Sequence, residues 1–241
     1  MRVFIMKKKT LIKAGLFALA FIAAVIYTVS AVTKDADVFS DNGLCLKTIE
    51  GEKNAVALTF DTAFGEDYTR DILKILQEKG AKATFAVMGR WAEQNPELVK
   101  EIINSGNEII SHSMNHEYYN EIGADKAVKD ALCARELLKL EFGIETDMIR
   151  PPYGQANDAV LQALNDEGFI PVGWSTDSED WRGDSKDNVK DRVLSKIEGG
   201  SIIVMQNNCK NSADALSEII DGLYDMNYEC ITLTKLEGDN A

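Results

Sequence analysis

Residues 55–87 read AVALTFDTAFGEDYTRDILKILQEKGAKATFAV. The stretch opens on a short apolar run, Ala55–Phe60, of the length and content of a buried strand. Asp67–Lys79 then takes helical spacing, with Ile72, Ile75 and Leu76 on one face, and Ala81–Val87 is again strand-like. A strand, a helix and a second strand in that order predict parallel pairing through a crossover helix.

Working outward, the alternation continues to the end of the chain. Helices are predicted at Pro96–Ser105, Ala124–Leu140, Asn157–Glu167, Asp187–Ile197 and Ser212–Met226, and strands at Glu108–Ser111, Phe169–Trp174, Ser201–Met205 and Tyr228–Leu233. The fold class is therefore α/β, with some seven parallel strands in either a barrel or an open doubly wound sheet. Neither GxGxxG nor GxxxxGK[ST] follows a strand, which sets aside dinucleotide and P-loop sites. In such folds the reactive residues gather at the C-terminal ends of strands, and the unusual residues of this chain sit there.

Length and composition agree with one large globular domain or two small ones: 241 residues, 45% apolar and 27% charged. Charge is unevenly placed. Residues 1–34 hold six cations and no acid; the chain as a whole carries −13, so residues 35–241 hold −19. A body that acidic repels phosphate backbones, which excludes nucleic acid as a partner; nothing in the sequence points to a protein partner. Lys7, Lys8 and Lys9 precede an apolar run from Leu11 to Val32. That arrangement predicts export, with the N-terminus in the cytoplasm and the body outside it. The run serves either as a membrane anchor of about 20 residues or as a signal peptide cleaved after Ala31. The expected organisation is residues 1–33 as hydrophobic helix, 34–54 as connector and 55–241 as the functional domain. Cys45, Cys133, Cys209 and Cys230 form no CxxC pair; they are equally readable as disulfide partners or as small buried hydrophobes.

Four sites at strand ends carry chemistry. Asp61 follows the first strand, where an acid serves as a base, a metal ligand or merely a turn or helix cap. His112 and His116, the only histidines, stand four apart in HSMNH, close enough to share a cation such as zinc, cobalt or manganese. Ser113 occupies the place where a zincin would need glutamate. Arg150 precedes two prolines in RPPYG; a rigid loop there can aim the guanidinium at a carboxylate, and a solvated surface turn would look the same. Residues 174–181, WSTDSEDW, combine acids with two tryptophans whose faces suit sugars.

In order and spacing, TFDTAFG, HSMNH, RPPYG, DSEDW and the strand ending SIIVMQ resemble the motifs of the polysaccharide deacetylases of the NodB-homology type, carbohydrate esterase family four. The resemblance covers about residues 54–236 and implies an irregular (β/α) barrel of about seven strands. It implies Asp61 as general base, His112 and His116 as zinc ligands, Arg150 as the group orienting the base, and Tyr153 as an oxyanion contributor through its backbone. Asp177 would tune the catalytic acid, and Trp181 and Val204 would wall the acetyl pocket. The implied substrate is an N-acetylated glycan. Two positions depart. Thr62 replaces the acid expected as third metal ligand, for which Glu66 and Asp67 are nearby substitutes. Gln206 replaces the histidine expected as general acid. The changed first motif also resembles a sporulation-associated branch of the family. Three functions follow: a metal-dependent N-deacetylase of cell-wall glycan, a degenerate glycan-binding or structural domain, or a hydrolase of another amide or ester.

Overall fold

A computed structural model of the chain describes residues 43–51, 54–64 and 68–238. The N-terminal apolar run with Ala31, most of the expected connector, and Glu66 and Asp67 lie outside the described residues. Among the described residues no helix is long and apolar enough to cross a membrane.

The strands are β1 (Ala55–Thr62), β2 (Ala83–Val87), β3 (Glu108–Ser111), β4 (Met148–Ile149), β5 (Ile170–Pro171), β6 (Thr176–Asp177), β7 (Ile202–Gln206) and β8 (Glu229–Cys230). They form one sheet in the order β5-β4-β3-β2-β1-β7-β6, with β8 added at the start of β1, and every pairing is parallel. The helices are α1 (Thr69–Lys79), α2 (Gly89–Gln94), α3 (Pro96–Asn104), α4 (Tyr119–Ile122), α5 (Ala124–Phe142), α6 (Asp158–Asp166), α7 (Lys186–Leu194), α8 (Lys210–Asp225) and α9 (Leu233–Gly238). This is the irregular barrel expected.

All eight residues of β1 are buried, as both faces of a parallel sheet must be when helices cover one side and the barrel closes on the other. Alternation assigns the two faces. Val56, Leu58 and Phe60 point outward, and Phe60 stacks on Phe85 of β2 at 5.2 Å. They pack against Ile72 and Leu76 of α1 and against Leu216, Ile219, Ile220 and Leu223 of α8. Ala57 of β1, Ala86 of β2, Ile110 of β3, Met148 of β4 and Ile202 of β7 fill the interior. The small alanines leave room above them for polar side chains.

The expected strand over residues 169–174 is reduced to Ile170–Pro171. Pro171 has no N–H to give, and the chain beyond pairs elsewhere. Val172 forms a bridge to Leu46, while the Leu46 N–H donates to the Pro171 carbonyl at 2.8 Å. The Ile49 N–H donates to the Gly200 carbonyl at 2.9 Å, so residues 44–49 run across the opening between β5 and β7. The last expected strand stops at Cys230, because α9 begins at Leu233. The short helices α2 and α4 carry no amphipathic period long enough to read from sequence.

Candidate active site

The C-terminal ends of β1, β3, β4, β6 and β7 converge at one mouth of the barrel. Asp61 lies beside Gln206 in the β1–β7 register, and Asp177 beside Val204 in the β6–β7 register. Paired residues of parallel strands share a face, so Asp61, Asp177, Val204 and Gln206 line the same interior wall.

Arg150, fully buried, is the central strut. Its Nη1 donates to Asp61 Oδ1 and to Thr59 Oγ1, both at 2.8 Å, its Nη2 to the Gly173 carbonyl at 3.1 Å and its Nε to the Val172 carbonyl at 3.4 Å. A buried cation holds only when its donors are satisfied, and four acceptors from two distant segments, Thr59 and Asp61 of β1 and the consecutive carbonyls of Val172 and Gly173, do that here. Burial alone would raise the Asp61 carboxyl. The charge of Arg150 and its hydrogen bond, with the nearby imidazoles contributing, outweigh it and hold the group below the usual carboxylate range.

The histidines meet above Asp61. His112 Nδ1 lies 2.8 Å from the Arg150 carbonyl oxygen, a contact that makes Nδ1 the protonated nitrogen and leaves the Nε2 lone pair free. His116 Nε2 stands 3.1 Å from His112 Nε2, and Asp61 Oδ2 is 3.9 Å from His112 Nε2. Burial lowers both imidazoles, His116 to about 3 with His112 contributing. Two neutral nitrogens aimed at each other at this distance suit a shared cation, since zinc–nitrogen bonds of about 2.0–2.1 Å in a tetrahedral site set neighbouring nitrogens about 3.3 Å apart. The pair therefore fits two positions of a divalent metal. Among the described residues no group of three metal-binding side chains is present. Thr62 does not supply a third, because its Oγ1 is 3.2 Å from the Phe60 carbonyl and donates to its own strand.

Two residues passed over in the sequence hold this arrangement together. Asp130, a buried acid on the alanine face of α5, accepts from the Met114 N–H at 2.8 Å, Asn115 Nδ2 at 2.6 Å and the Tyr119 hydroxyl at 3.1 Å. It clamps the loop that carries both histidines. Its signal was available: an acid at the same helical spacing as buried Ala127, Ala131 and Ala134. The second is Asp180. Within DSEDW, Asp177 Oδ1 accepts the Glu179 N–H at 2.8 Å and closes a turn. Asp180, 2% exposed, instead accepts from the Gln206 N–H at 2.8 Å and from the Ser212 hydroxyl. Asp180 is thus the acid hydrogen-bonded to position 206. Burial, ahead of its neighbouring charges, raises Asp180 to about 6 and also raises Asp177.

Of the five described non-glycine residues with positive φ, four lie in these motifs: Ser113, His116, Tyr153 and Glu179. Such backbones are sparsely populated and persist where the surroundings over-determine them. Tyr153, at φ 60°, follows Pro152 in a single 3-10 turn and faces His116 edge-on at 4.5 Å. Val204 is buried, whereas Trp181 is 63% exposed with Arg182 over its ring. All four cysteines are free thiols.

The sequence pattern of polysaccharide deacetylases matches residues 48–172. The chain is 30% identical over 191 residues to the peptidoglycan-N-acetylmuramic acid deacetylase PdaC of Bacillus subtilis (strain 168), covering 79% of this chain and 40% of the relative. It therefore spans well under half the length of that protein. It is 33% identical to a peptidoglycan-N-acetylglucosamine deacetylase of Bacillus cereus, covering 76% and 68%. Among solved structures, a CE4 family pseudoenzyme from Bacillus anthracis superposes with a TM-score of 0.73 at 28% identity, over 77% of this chain and 66% of that one.

Proposed function

Because the chain belongs to the polysaccharide deacetylase family, we propose that it removes N-acetyl groups from peptidoglycan or a related N-acetylated cell-wall glycan, outside the cytoplasmic membrane. The observation that carries the reading is the buried Asp61–Arg150 pair, set directly beneath two converging imidazoles.

The residues divide the work as follows. Asp61, kept ionised by Arg150, accepts a proton from the attacking water. His112 and His116 would hold a divalent ion, most naturally zinc; when bound, such an ion supplies Lewis-acid polarisation of the acetyl carbonyl. The Tyr153 backbone would help to hold the oxyanion, and Val204 would line the acetyl pocket with Trp181 at its rim. Hydrolysis breaks the amide C–N bond and needs one proton delivered to the departing nitrogen. Gln206 has none to give, so turnover is expected about 10²–10⁴-fold below that of a relative with a histidine there. The basic, apolar N-terminal run would tether the domain to the membrane or direct its secretion.

A second reading, glycan binding without turnover, is favoured by the Thr62 hydroxyl bound to its own strand, by Gln206, and by likeness to a protein described as a pseudoenzyme. One experiment separates the two: acetate release from N-acetylglucosamine oligomers and peptidoglycan with added zinc, and with Asp61→Asn as control. Release that the control abolishes supports hydrolysis. Equal traces from both, with the protein folded, support binding alone. Zinc titration of the wild type and of His116→Ala tests the metal separately, and a wild type without zinc affinity would remove the metal from the reading.

A further inference from the structure

Gln206 stands between two carboxyls of opposite character. In the strand order β1-β7-β6, Asp61 lies beside it on β1. Asp180 meets it from the other side, in the turn that follows β6, and accepts the Gln206 N–H at 2.8 Å. Asp61 is bonded to the Arg150 guanidinium. No cation pairs with Asp180; among the described residues its carboxyl has two donors, the Gln206 N–H and the Ser212 hydroxyl.

Both donors fall on the same oxygen, Oδ2. Oδ1 accepts from no described residue, and it is not one of the fully buried polar atoms left without a partner, so solvent reaches it. An ionised carboxylate accepts at both oxygens, whereas a protonated one keeps an O–H to donate. The asymmetry at Asp180 is that of the protonated form, with the hydrogen on Oδ1. Its surroundings favour the same form. Asp61 and Asp177 repel an added negative charge there. Glu179 of the same turn is held by Arg182 and by Arg192 of α7, and Arg192 is also bound to Asp184. From the side of α8 come the Ser212 hydroxyl and the Cys209 thiol, which keeps its proton through burial and through Asp180 itself. Sites that need an acid and a base together hold groups whose environments drive their pKa values apart. Here Asp61 is lowered and Asp180 is raised. The other acid of the turn, Asp177, is occupied at Oδ1 by the Glu179 N–H.

We infer that Asp180 is the general acid of this chain, delivering from Oδ1 to the departing nitrogen the proton that Gln206 lacks. The inference rests on the hydrolytic reading above. Asp61 takes one proton from water as the water oxygen bonds to the acetyl carbon. The C–N bond then breaks, the nitrogen keeps the electron pair and takes the Oδ1 proton, and acetate and a free amine leave. Asp180 is left as a carboxylate and regains its proton from solvent. A carboxyl only 2% exposed delivers less readily than a histidine on β7 would, in keeping with the slow turnover expected above.

The test compares an amide with an ester whose leaving group departs without a proton. The full chain with added zinc is assayed on N-acetylglucosamine oligomers and on 4-nitrophenyl acetate, alongside Asp180→Asn, Asp177→Asn and Asp61→Asn. Asp180→Asn should lower kcat on the amide by about 10²–10⁴-fold with KM little changed, and turnover of the ester by less than about tenfold. The wild type gives a second readout that needs no variant to fold: the ratio of amide to ester turnover should fall as pH rises through about 6. Equal loss on both substrates in Asp180→Asn makes Asp180 structural and overturns the inference. Amide turnover that Asp61→Asn abolishes but Asp180→Asn leaves unchanged, or that is lost in Asp177→Asn instead, overturns it while hydrolysis stands. A wild type that cleaves the ester but not the amide also overturns it, leaving a hydrolytic centre without an acid. No turnover of either substrate overturns the hydrolytic reading and the acid with it.

Discussion

Replacing Arg150 with methionine tests the electrostatic logic of the site most directly. The guanidinium is fully buried and bonded to Asp61, Thr59 and the carbonyls of Val172 and Gly173. Methionine fills much of the volume but strands a buried carboxylate and two carbonyls. Breaking a buried pair from one side costs about 3–5 kcal/mol, which in a domain of this size lowers Tm by roughly 10 °C. The pH dependence carries the sharper signature. In the wild type the Asp61 pKa is lowered. The stability from its ionised form is therefore complete above the unfolded carboxylate value of about 3.9 and fades only as pH falls through the lowered value. Without Arg150, burial is the largest influence left and the carboxyl moves up. Its contribution is then complete below about 3.9 and is lost as pH rises through the raised value. The gap between wild type and Arg150→Met must therefore widen as pH climbs from about 4 toward 8. Urea denaturation followed by circular dichroism across that range measures it. Adding Asp61→Asn to both proteins should flatten the trend, because the titrating partner is gone. A gap under about 1 kcal/mol at neutral pH, or one that does not move with pH when Asp61 is present, would refute the reasoning.

Three further outcomes are expected. Asp180→Asn keeps an acceptor for the Gln206 N–H while removing a carboxyl raised to about 6. A raised group stabilises below its unfolded pKa and loses that contribution as pH rises, so the variant should gain on the wild type between about pH 4 and 6, by at most about 3 kcal/mol; a pH-independent difference in denaturation would contradict the assigned burial. Gln206→His combined with Thr62→Asp should raise acetate release by about 10²–10⁴-fold if position 206 limits proton delivery, and no gain in a folded double variant would place the limit elsewhere. Gly200→Ala should destabilise the domain by more than about 2 kcal/mol, measured by thermal melting: the added Cβ would fall 2.0 Å from the Ile49 carbonyl oxygen at a position of φ +81°. A neutral result would mean that residues 44–49 do not close the barrel as described.

The sequence by itself determined the β–α alternation, and with it the strand ends where Asp61, His112 and Gln206 appear; the two-residue strands that carry Arg150 and Asp177, Met148–Ile149 and Thr176–Asp177, were too short to read. Strand length and hydrophobic period are local properties, and the chemistry of a parallel barrel follows the C-terminal ends. His112 and His116 were legible as a pair because they are the only two histidines and stand four apart, but a loop with left-handed backbone at Ser113 and His116, and not a helical turn, brings their Nε2 atoms to 3.1 Å. Only the tertiary structure decided which groups touch. Arg150 and Asp61 lie 89 positions apart, and the choice between salvaging a buried carboxylate and decorating a surface turn depends on the interior volume left by Ala57 and Ala86. The same holds for the two acids of DSEDW: three residues apart, they look interchangeable until a 3-10 turn sends Asp180 under strand β7 and leaves Asp177 to close its own loop. The Tyr118–Tyr153 stack had no sequence signal at all, because ring contact between two loops is set by the angle at which each leaves the barrel, and that angle is fixed by long-range packing rather than by spacing.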